Sequence, residues 1–483
     1  MSAKLKSLSL ENFRVFDQKT DFEFADINII TGPNNSGKSS LIKAILLLQD
    51  NYINEWARLD FDKGNHNLIS FKHTVNNQAN LDYFRINLTL DDSNSSNPNP
   101  EDILGTELLF KNVDNAVLLA EAKFFNSAGH IVTTAHLIGP NEDIFQYYLP
   151  PNWFLPDCSL SEDQIHELAE KSLYFSRILS PITTPHSLSN VISRYTHFIN
   201  DLLNNRKKLF TEVFKHNEIS EVINLNLAKF TVEEVINTEL IENLHFKPAI
   251  YDFFRAHNLK YEPAVRNQQL SLYPFNHSFS SALNKLMSVK SFYDNNSEEI
   301  QFVNKWIGKE GFNVMKEIDG IKIEKIPGAG FLFSFLRNGQ TLDLTNLGSG
   351  SAQIIPIIIQ IIISTESTIM IEEPETNLHP NFQSKLAELF VEANNIFRHQ
   401  FIIETHSEYL IRKLQHIVAK KELNNDHLKI YYFNNPDTAT ENQIISIEVF
   451  DNGGLSQNFG EGFFDEASRL RFNLLEINNS QKN

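Results

Sequence analysis

Two short segments of this chain bring together the residue types that handle phosphate and metal. The first is Gly32-Pro33-Asn34-Asn35-Ser36-Gly37-Lys38-Ser39-Ser40, which follows the apolar run Ile27-Asn28-Ile29-Ile30 and precedes the helical pattern Leu41 to Leu48. A strand, a G-x-x-x-x-G-K-S loop and a helix, in that order, read as a phosphate loop. Glycines at both ends let the backbone turn its N–H groups inward, and the helix N-terminus adds partial positive charge. Lys38 is expected to neutralise the β- and γ-phosphates and Ser39 to hold Mg²⁺ through its hydroxyl, which makes ATP and Mg²⁺ the expected cofactors.

The second segment is Ile369-Met370-Ile371-Glu372-Glu373, an apolar strand that delivers two carboxylates at its C-terminal end, where α/β folds place their ligands. Alternation along a strand makes the two inequivalent. By order, Glu372 is assigned to the metal and Glu373 to the base that deprotonates the attacking water. Beside a phosphate loop this pairing points to chemistry; alone, two adjacent acids are as often surface charge. The next apolar strand, Gln400 to Ile403, ends in Glu404-Thr405-His406-Ser407, and His406 is read as a contact to the γ-phosphate. His379, in a proline-flanked loop, has an equally good structural explanation. Leu347-Gly348-Ser349-Gly350-Ser351-Ala352-Gln353 opens an apolar helix and offers a second anion site, although a simple helix start explains it as well.

Positioning these groups requires an α/β framework. The last 180 or so residues repeat a helix-then-strand rhythm, while Leu81 to Leu90 and Glu107 to Phe125 alternate like strands, with an Asp114-Asn115 turn making a hairpin. Residues 91–100, rich in Asp, Ser, Asn and Pro, read as a loop. From Ser159 to Lys290 the apolar spacing is helical, and no heptad pattern persists. Three segments follow: 1–150 with the phosphate loop, 151–300 as a helical insertion, and 301–483 with the acidic strand.

The chain has 483 residues, 41% of them hydrophobic, and a formal charge of −18. That balance supplies a core and argues against coating nucleic acid with the whole surface, although a local basic groove remains compatible with it. One cysteine, Cys158, excludes an internal disulfide or a cysteine-rich metal cluster and fits a reducing cytoplasm. The opening MSAKLKSLSLENFRVF alternates like a strand and lacks a signal-peptide h-region. The most apolar run, Ile354 to Ile363, is too short to span a membrane.

In order, Asn12-Phe13-Arg14 on the first strand, the phosphate loop, Leu347 to Gln353, Ile371-Glu372-Glu373-Pro374-Glu375 and Glu404-Thr405-His406-Ser407 resemble the ATP-binding-cassette ATPases of the RecF, Rad50 and SMC kind. Within them, the series is similar to the bacterial ATPases related to the overcoming-lysogenization-defect proteins. The resemblance implies an ATPase head, a mixed sheet with flanking helices plus an antiparallel β subdomain, interrupted by the helical insertion. It also implies that Arg14 contacts the nucleotide, that Leu347 to Gln353 is the signature loop, with Ser349 and Gly350 acting on the nucleotide of a second subunit, and that His406 is the switch histidine. ATP would then be sandwiched in a homodimer or higher homo-oligomer.

Similarity to PARIS-type and Septu-type ATPase subunits implies a switch in anti-phage defence, triggered by DNA or a phage protein and controlling a nuclease or toxin encoded by a neighbouring gene. A rival is a RecF-like repair ATPase that clamps DNA itself. A third reading, a nuclease in the same chain, would use Asp114 with Glu121 and Lys123. Three departures from the family pattern stand out. Glu372 replaces the usual aspartate, either Gln49 or Gln78 would serve as the Q-loop glutamine, and the chain after His406 is too short for a Toprim nuclease domain.

Overall fold

The computed structural model describes residues 3–52, 58–61, 64–76, 81–91, 103–113, 116–126, 129, 131–137, 144–148, 225–226, 253–254, 258–264, 272–275, 283, 298–314, 318–343, 349–434, 443–460 and 463–480. Its strands are β1 Lys4–Glu11, β2 Thr20–Glu23, β3 Ile27–Thr31, β4 Arg58–Leu59, β5 Tyr83–Asp91, β6 Ile103–Val113, β7 Ala116–Asn126, β8 Ile131–Leu137, β9 Ile144–Tyr148, β10 Leu225–Asn226, β11 Leu259–Glu262, β12 Leu272–Pro274, β13 Gly320–Ile326, β14 Gly330–Arg337, β15 Gln340–Asp343, β16 Thr368–Glu372, β17 Gln400–Glu404, β18 Leu428–Phe433 and β19 Ile444–Ile447. The helices are α1 Lys38–Asp50, α2 Phe71–Thr74, α3 Glu298–Ile307, α4 Ser349–Ile363, α5 Pro380–Phe397, α6 Glu408–Ala419 and α7 Glu466–Ser480. The chain forms two compact units, Met1–Lys4, Glu23–Ile42 and His257–Asn483 in one, Leu5–Phe22 and Lys43–Ala256 in the other.

The first unit is built on a six-stranded sheet in the order β11-β16-β17-β3-β18-β19. Its inner pairs are parallel, and β19 closes one edge antiparallel to β18. β3 and β17 are buried along their whole length, as strands of a sheet covered on both faces must be, and so read as unbroken apolar runs. Ile354 to Ile363 of α4 and Leu386, Leu389 and Phe390 of α5 are buried in the core with them. The one polar side chain inside β3, Asn28, is satisfied: its Nδ2 donates to the carbonyls of Ala25 and Phe401, and its Oδ1 accepts from the Ala25 N–H. A smaller antiparallel sheet, β12-β14-β13 with β15 beside β14, completes this unit.

Where β1, β3 and β18 begin, Asp26 accepts from Lys4 Nζ at 2.5 Å and from His427 Nδ1 at 2.5 Å. Burial opposes ionisation of Asp26, but the bonds and charges of Lys4 and His427 outweigh it and hold the carboxyl below its ordinary range. A depressed carboxyl stabilises the fold above its unfolded value, about 3.9, and that contribution is lost as pH falls through the folded value. Asp26→Asn is therefore expected to lower the urea midpoint at pH 7 and to lose less than the native chain between pH 5 and 3. Parallel curves for the two chains over that range would refute the assignment.

The second unit carries the sheet β10-β9-β8-β7-β6-β5-β1-β2, with β4 beside β7. Alternation in β5 buries Phe84, Ile86, Leu88 and Leu90, and Phe84 packs edge-on to Phe13 at 5.5 Å and tilted against Phe110 at 5.1 Å. Four strands of this sheet carry a charged ladder. Arg85 meets Glu11 at 2.9 Å and Glu107 at 3.8 Å, and Lys123 meets Glu107 at 2.9 Å and Glu121 at 3.3 Å. Alternating signs across neighbouring strands stabilise the sheet as cross-strand pairs.

The fold is the mixed α/β arrangement the motifs require, with its separate antiparallel sheets. β6 and β7 pair antiparallel up to Val113 and Ala116, as the alternation indicates; Asp114 and Asn115, read as the turn, lie outside the described residues. Two local readings need correction. Asn12-Phe13-Arg14 is not on the first strand: β1 stops at Glu11, and Asn12 and Arg14 take left-handed backbone, with φ of 52° and 53°. Within the segment read as a helical insertion, 259–262 is strand β11, parallel to β16, and 272–274 is strand β12. Most of 151–300, Cys158 included, lies outside the described residues.

Candidate functional site

The candidate site lies at the C-terminal ends of β3, β16 and β17, all within the first unit. Parallel register sets Glu372 beside Glu404, and Glu404 beside Ile30 one residue before Thr31. The loop that leaves β3 turns through three residues of positive φ, Gly32 at 145°, Asn35 at 63° and Gly37 at 97°, before α1 begins at Lys38. Alternating backbone hand of this kind points successive N–H groups to one side. Gly32 is required twice over, because a Cβ there would also stand 2.3 Å from the Phe433 carbonyl oxygen. Ser36 Oγ is buried with no hydrogen-bond partner.

Lys38 is 5% exposed, and its ammonium donates to the carbonyls of Gly32 at 3.1 Å and Pro33 at 2.7 Å, so the charge lies against the loop. Burial lowers its pKa, while the carboxylates of Glu404 and Glu373 oppose that fall. Ser39 donates its hydroxyl proton to Glu404 Oε1 at 3.1 Å. Ser40 is buried in the first turn of α1.

Glu372 ends β16 and Glu373 leaves it with φ of 44°. That kink separates the two acids. The Glu373 N–H donates to the Glu404 carbonyl at 2.7 Å, and Glu373 Oε2 accepts from Thr376 Oγ1 at 3.1 Å. Glu373 acts on Lys38, after Glu404, and on His406, whereas Glu372 is the neighbour that most raises the Glu404 carboxyl, with Glu373 adding to it. Burial first, then the charge of Glu372, pushes Glu404 up to about 7. Burial and the Lys38 charge push the His406 imidazole below its ordinary value, favouring the neutral ring, with Glu373 opposing.

Two acids go beyond the pair found in the sequence. Glu375, almost fully buried, accepts the His406 N–H at 2.6 Å and so fixes the backbone that presents the ring; burial raises its pKa. Glu404 was legible only as a strand end. Its signal was the repeat of one pattern, Ile-Ile-Glu after Ile-Met-Ile-Glu, on strands that pair. His379 is the N-cap of α5, its Nδ1 accepting from the Asn381 N–H, which gives it a structural role.

Ser349 and Gly350 open α4, and a Cβ on Gly350 would come within 3.0 Å of the Asn377 carbonyl oxygen, so this glycine lets the helix start approach the loop after Glu373. Leu347 and Gly348 lie outside the described residues, as does Gln78; Gln49 is half-buried near the end of α1. Arg14 belongs to the second unit, where its N–H donates to the Thr74 carbonyl and its half-buried guanidinium has a pKa lowered by burial. Glu121 and Lys123 are held in the charged ladder, which explains them without nuclease chemistry, and Asp114 is outside the described set. Among the described residues no group of three or more His, Cys, Asp or Glu could hold a metal, and no helix is long and apolar enough to cross a membrane.

A glycine-bounded turn at a helix start, a lysine against it, a hydroxyl bonded to Glu404 with Glu372 beside it, and Glu373 acting on the His406 imidazole can together hold a nucleoside triphosphate with a divalent cation. Residues 4–411 match the family model described as AAA ATPase domain, and the chain belongs to that family of ATP-binding ATPases. Residues 423–474 match a second model, a protein of unknown function (DUF3696). No curated protein matches. Among solved structures, the SMC head domain from Thermotoga maritima is 11% identical with a TM-score of 0.34, covering 92% of this chain and 99% of that one. An Smc head domain with an extended coiled coil, bound to the C-terminal domain of ScpA derived from Pyrococcus furiosus, is 13% identical with a TM-score of 0.40, covering 92% and 96%.

Proposed function

We propose that this chain binds and hydrolyses ATP with Mg²⁺ at the loop Gly32 to Ser40, and that nucleotide closes two copies into a switch that controls a separate effector. The observation that carries hydrolysis is the cluster at the ends of β3, β16 and β17, where Ser39 bonds Glu404, Glu404 lies beside Glu372 and accepts the Glu373 N–H at its carbonyl, and the His406 N–H bonds Glu375. The loop N–H groups and Lys38 receive the phosphates, Ser39 and Glu372 hold the ion, and Glu373 takes a proton from the attacking water. His406 touches the γ-phosphate, and Glu375 positions it. When bound, Mg²⁺ supplies charge neutralisation between the phosphates. Phosphate release by the purified chain, with and without Mg²⁺, tests the reading; no Mg²⁺-dependent release would refute it.

The order of the motifs along the chain supports a shared site, with Ser349 and Gly350 of one copy completing the nucleotide pocket of the other. Mixing a Ser349→Arg chain with a Lys38→Ala chain is then expected to restore activity that neither has alone, since one of the two interfaces combines both intact halves. No recovered turnover in the mixture would count against it. Resemblance to PARIS-type and Septu-type subunits supports a role in anti-phage defence, with a nuclease or toxin as the effector and DNA or a phage protein as the trigger. Co-purification with the product of the neighbouring gene, with and without ATP, is the direct test of that arm.

A further inference from the structure

The proposed hydrolysis leaves Glu404 without a role, yet it sits at the middle of the site. It ends β17, between β16 and β3, side by side with Glu372. It is 5% exposed. Its Oε1 accepts the Ser39 hydroxyl proton, and its Oε2 is buried with no hydrogen-bond partner. The nearby ammonium does not fill that vacancy in bonding, since Lys38 Nζ is directed to the Gly32 and Pro33 carbonyls. A buried carboxylate oxygen without a donor, beside a second carboxylate, is unfavourable unless a proton or a cation joins them. The donor set of two carboxylates and one hydroxyl suits Mg²⁺, which takes one or two carboxylates, keeps waters and completes its shell with phosphate oxygens. Too few protein ligands are present to trap an ion alone, so the ion would arrive with the nucleotide.

We propose that Glu404 is the second carboxylate of the metal subsite: Oε1 takes the Ser39 proton and leaves that oxygen's lone pairs for the ion, while Oε2 holds the ion or one of its waters opposite Glu372. This rests on the reading of Gly32 to Ser40 as the nucleotide site. A consequence distinguishes the two. Removing the Glu404 charge weakens the hold on the ion and relieves repulsion of bare phosphate, so metal binding and metal-free nucleotide binding move in opposite directions.

The test uses the full chain with Mn²⁺ as the probe, followed by electron paramagnetic resonance in the presence of ADP, alongside ADP binding in excess EDTA. Glu404→Gln keeps an acceptor for Ser39 and is expected to weaken Mn²⁺ binding by about 10- to 100-fold, the range found for groups that support a metal's ligands. Its ADP binding in EDTA should equal or exceed that of the native chain. Native-like Mn²⁺ affinity in Glu404→Gln, with ADP bound normally, would overturn the role of Glu404 and leave the nucleotide site standing. Failure of the native chain to bind ADP in either condition would instead overturn the nucleotide site, and this inference with it. Should Glu404→Gln not fold, Glu404→Asp withdraws the carboxylate by one methylene, and undiminished Mn²⁺ affinity there would equally overturn the proposal.

Discussion

A Lys38→Ala chain is expected to release phosphate at least about 10²-fold more slowly than the native chain, the scale for losing one preorganised electrostatic contact to a transition state. ATP binding should weaken with it, because the ammonium serves ground state and transition state alike. The reason is positional. Lys38 is the first residue of α1 and lies folded against the Gly32 and Pro33 carbonyls, so its charge is already within the loop before any phosphate arrives. Its removal also leaves Glu404 and Glu373 without a neighbouring cation, which adds repulsion to the lost attraction. Steady-state phosphate release and binding of a fluorescent ATP analogue check both effects, and turnover at the native rate would dismiss the phosphate-loop assignment.

Glu373→Gln should separate binding from chemistry. Loss of a general base lowers turnover by roughly 10²- to 10⁴-fold, while the amide keeps an oxygen for the Thr376 hydroxyl that now bonds Glu373 Oε2. ATP should therefore bind, persist and hold the two-copy state longer, seen as increased light scattering with ATP. Glu372→Gln should behave differently, losing Mg²⁺ dependence first. The electrostatics agree with this division in one respect: of the two acids, Glu373 alone is a cause of the Lys38 and His406 shifts, while Glu372 is the stronger of the two on Glu404. An ATP-bound trap in Glu372→Gln together with Mg²⁺ loss in Glu373→Gln would show the two roles reversed.

The parts of the site legible in the sequence are those that local pattern encodes. Apolar runs ending in polar residues gave β3, β16 and β17 with nearly their observed limits, because buried parallel strands tolerate no alternation. What failed was whatever depends on partners. Glu404 gains its place only through the register that sets it beside Glu372 and within reach of Ser39. Strand β11 is four residues long at a sheet edge, too short for its pattern to outweigh the helical spacing around it. Arg14 was read onto a strand since apolar alternation runs past Glu11, yet Asn12, a residue that tolerates left-handed backbone, ends the strand there.

The position of β3 has a consequence for how the chain is made. β3 lies between β17 and β18, and the bond from Asn28 to the Phe401 carbonyl joins residues 373 apart in sequence. During synthesis at about 5–20 residues per second, the strand Ile27–Thr31 would wait on the order of 20–75 s for its first neighbour. Until then its apolar side chains and both of its edges are unpaired, and the Glu404 carboxylate that bonds Ser39 has not been made. Ribosome-bound chains halted before residue 400 are therefore expected neither to hold nucleotide nor to resist aggregation once released.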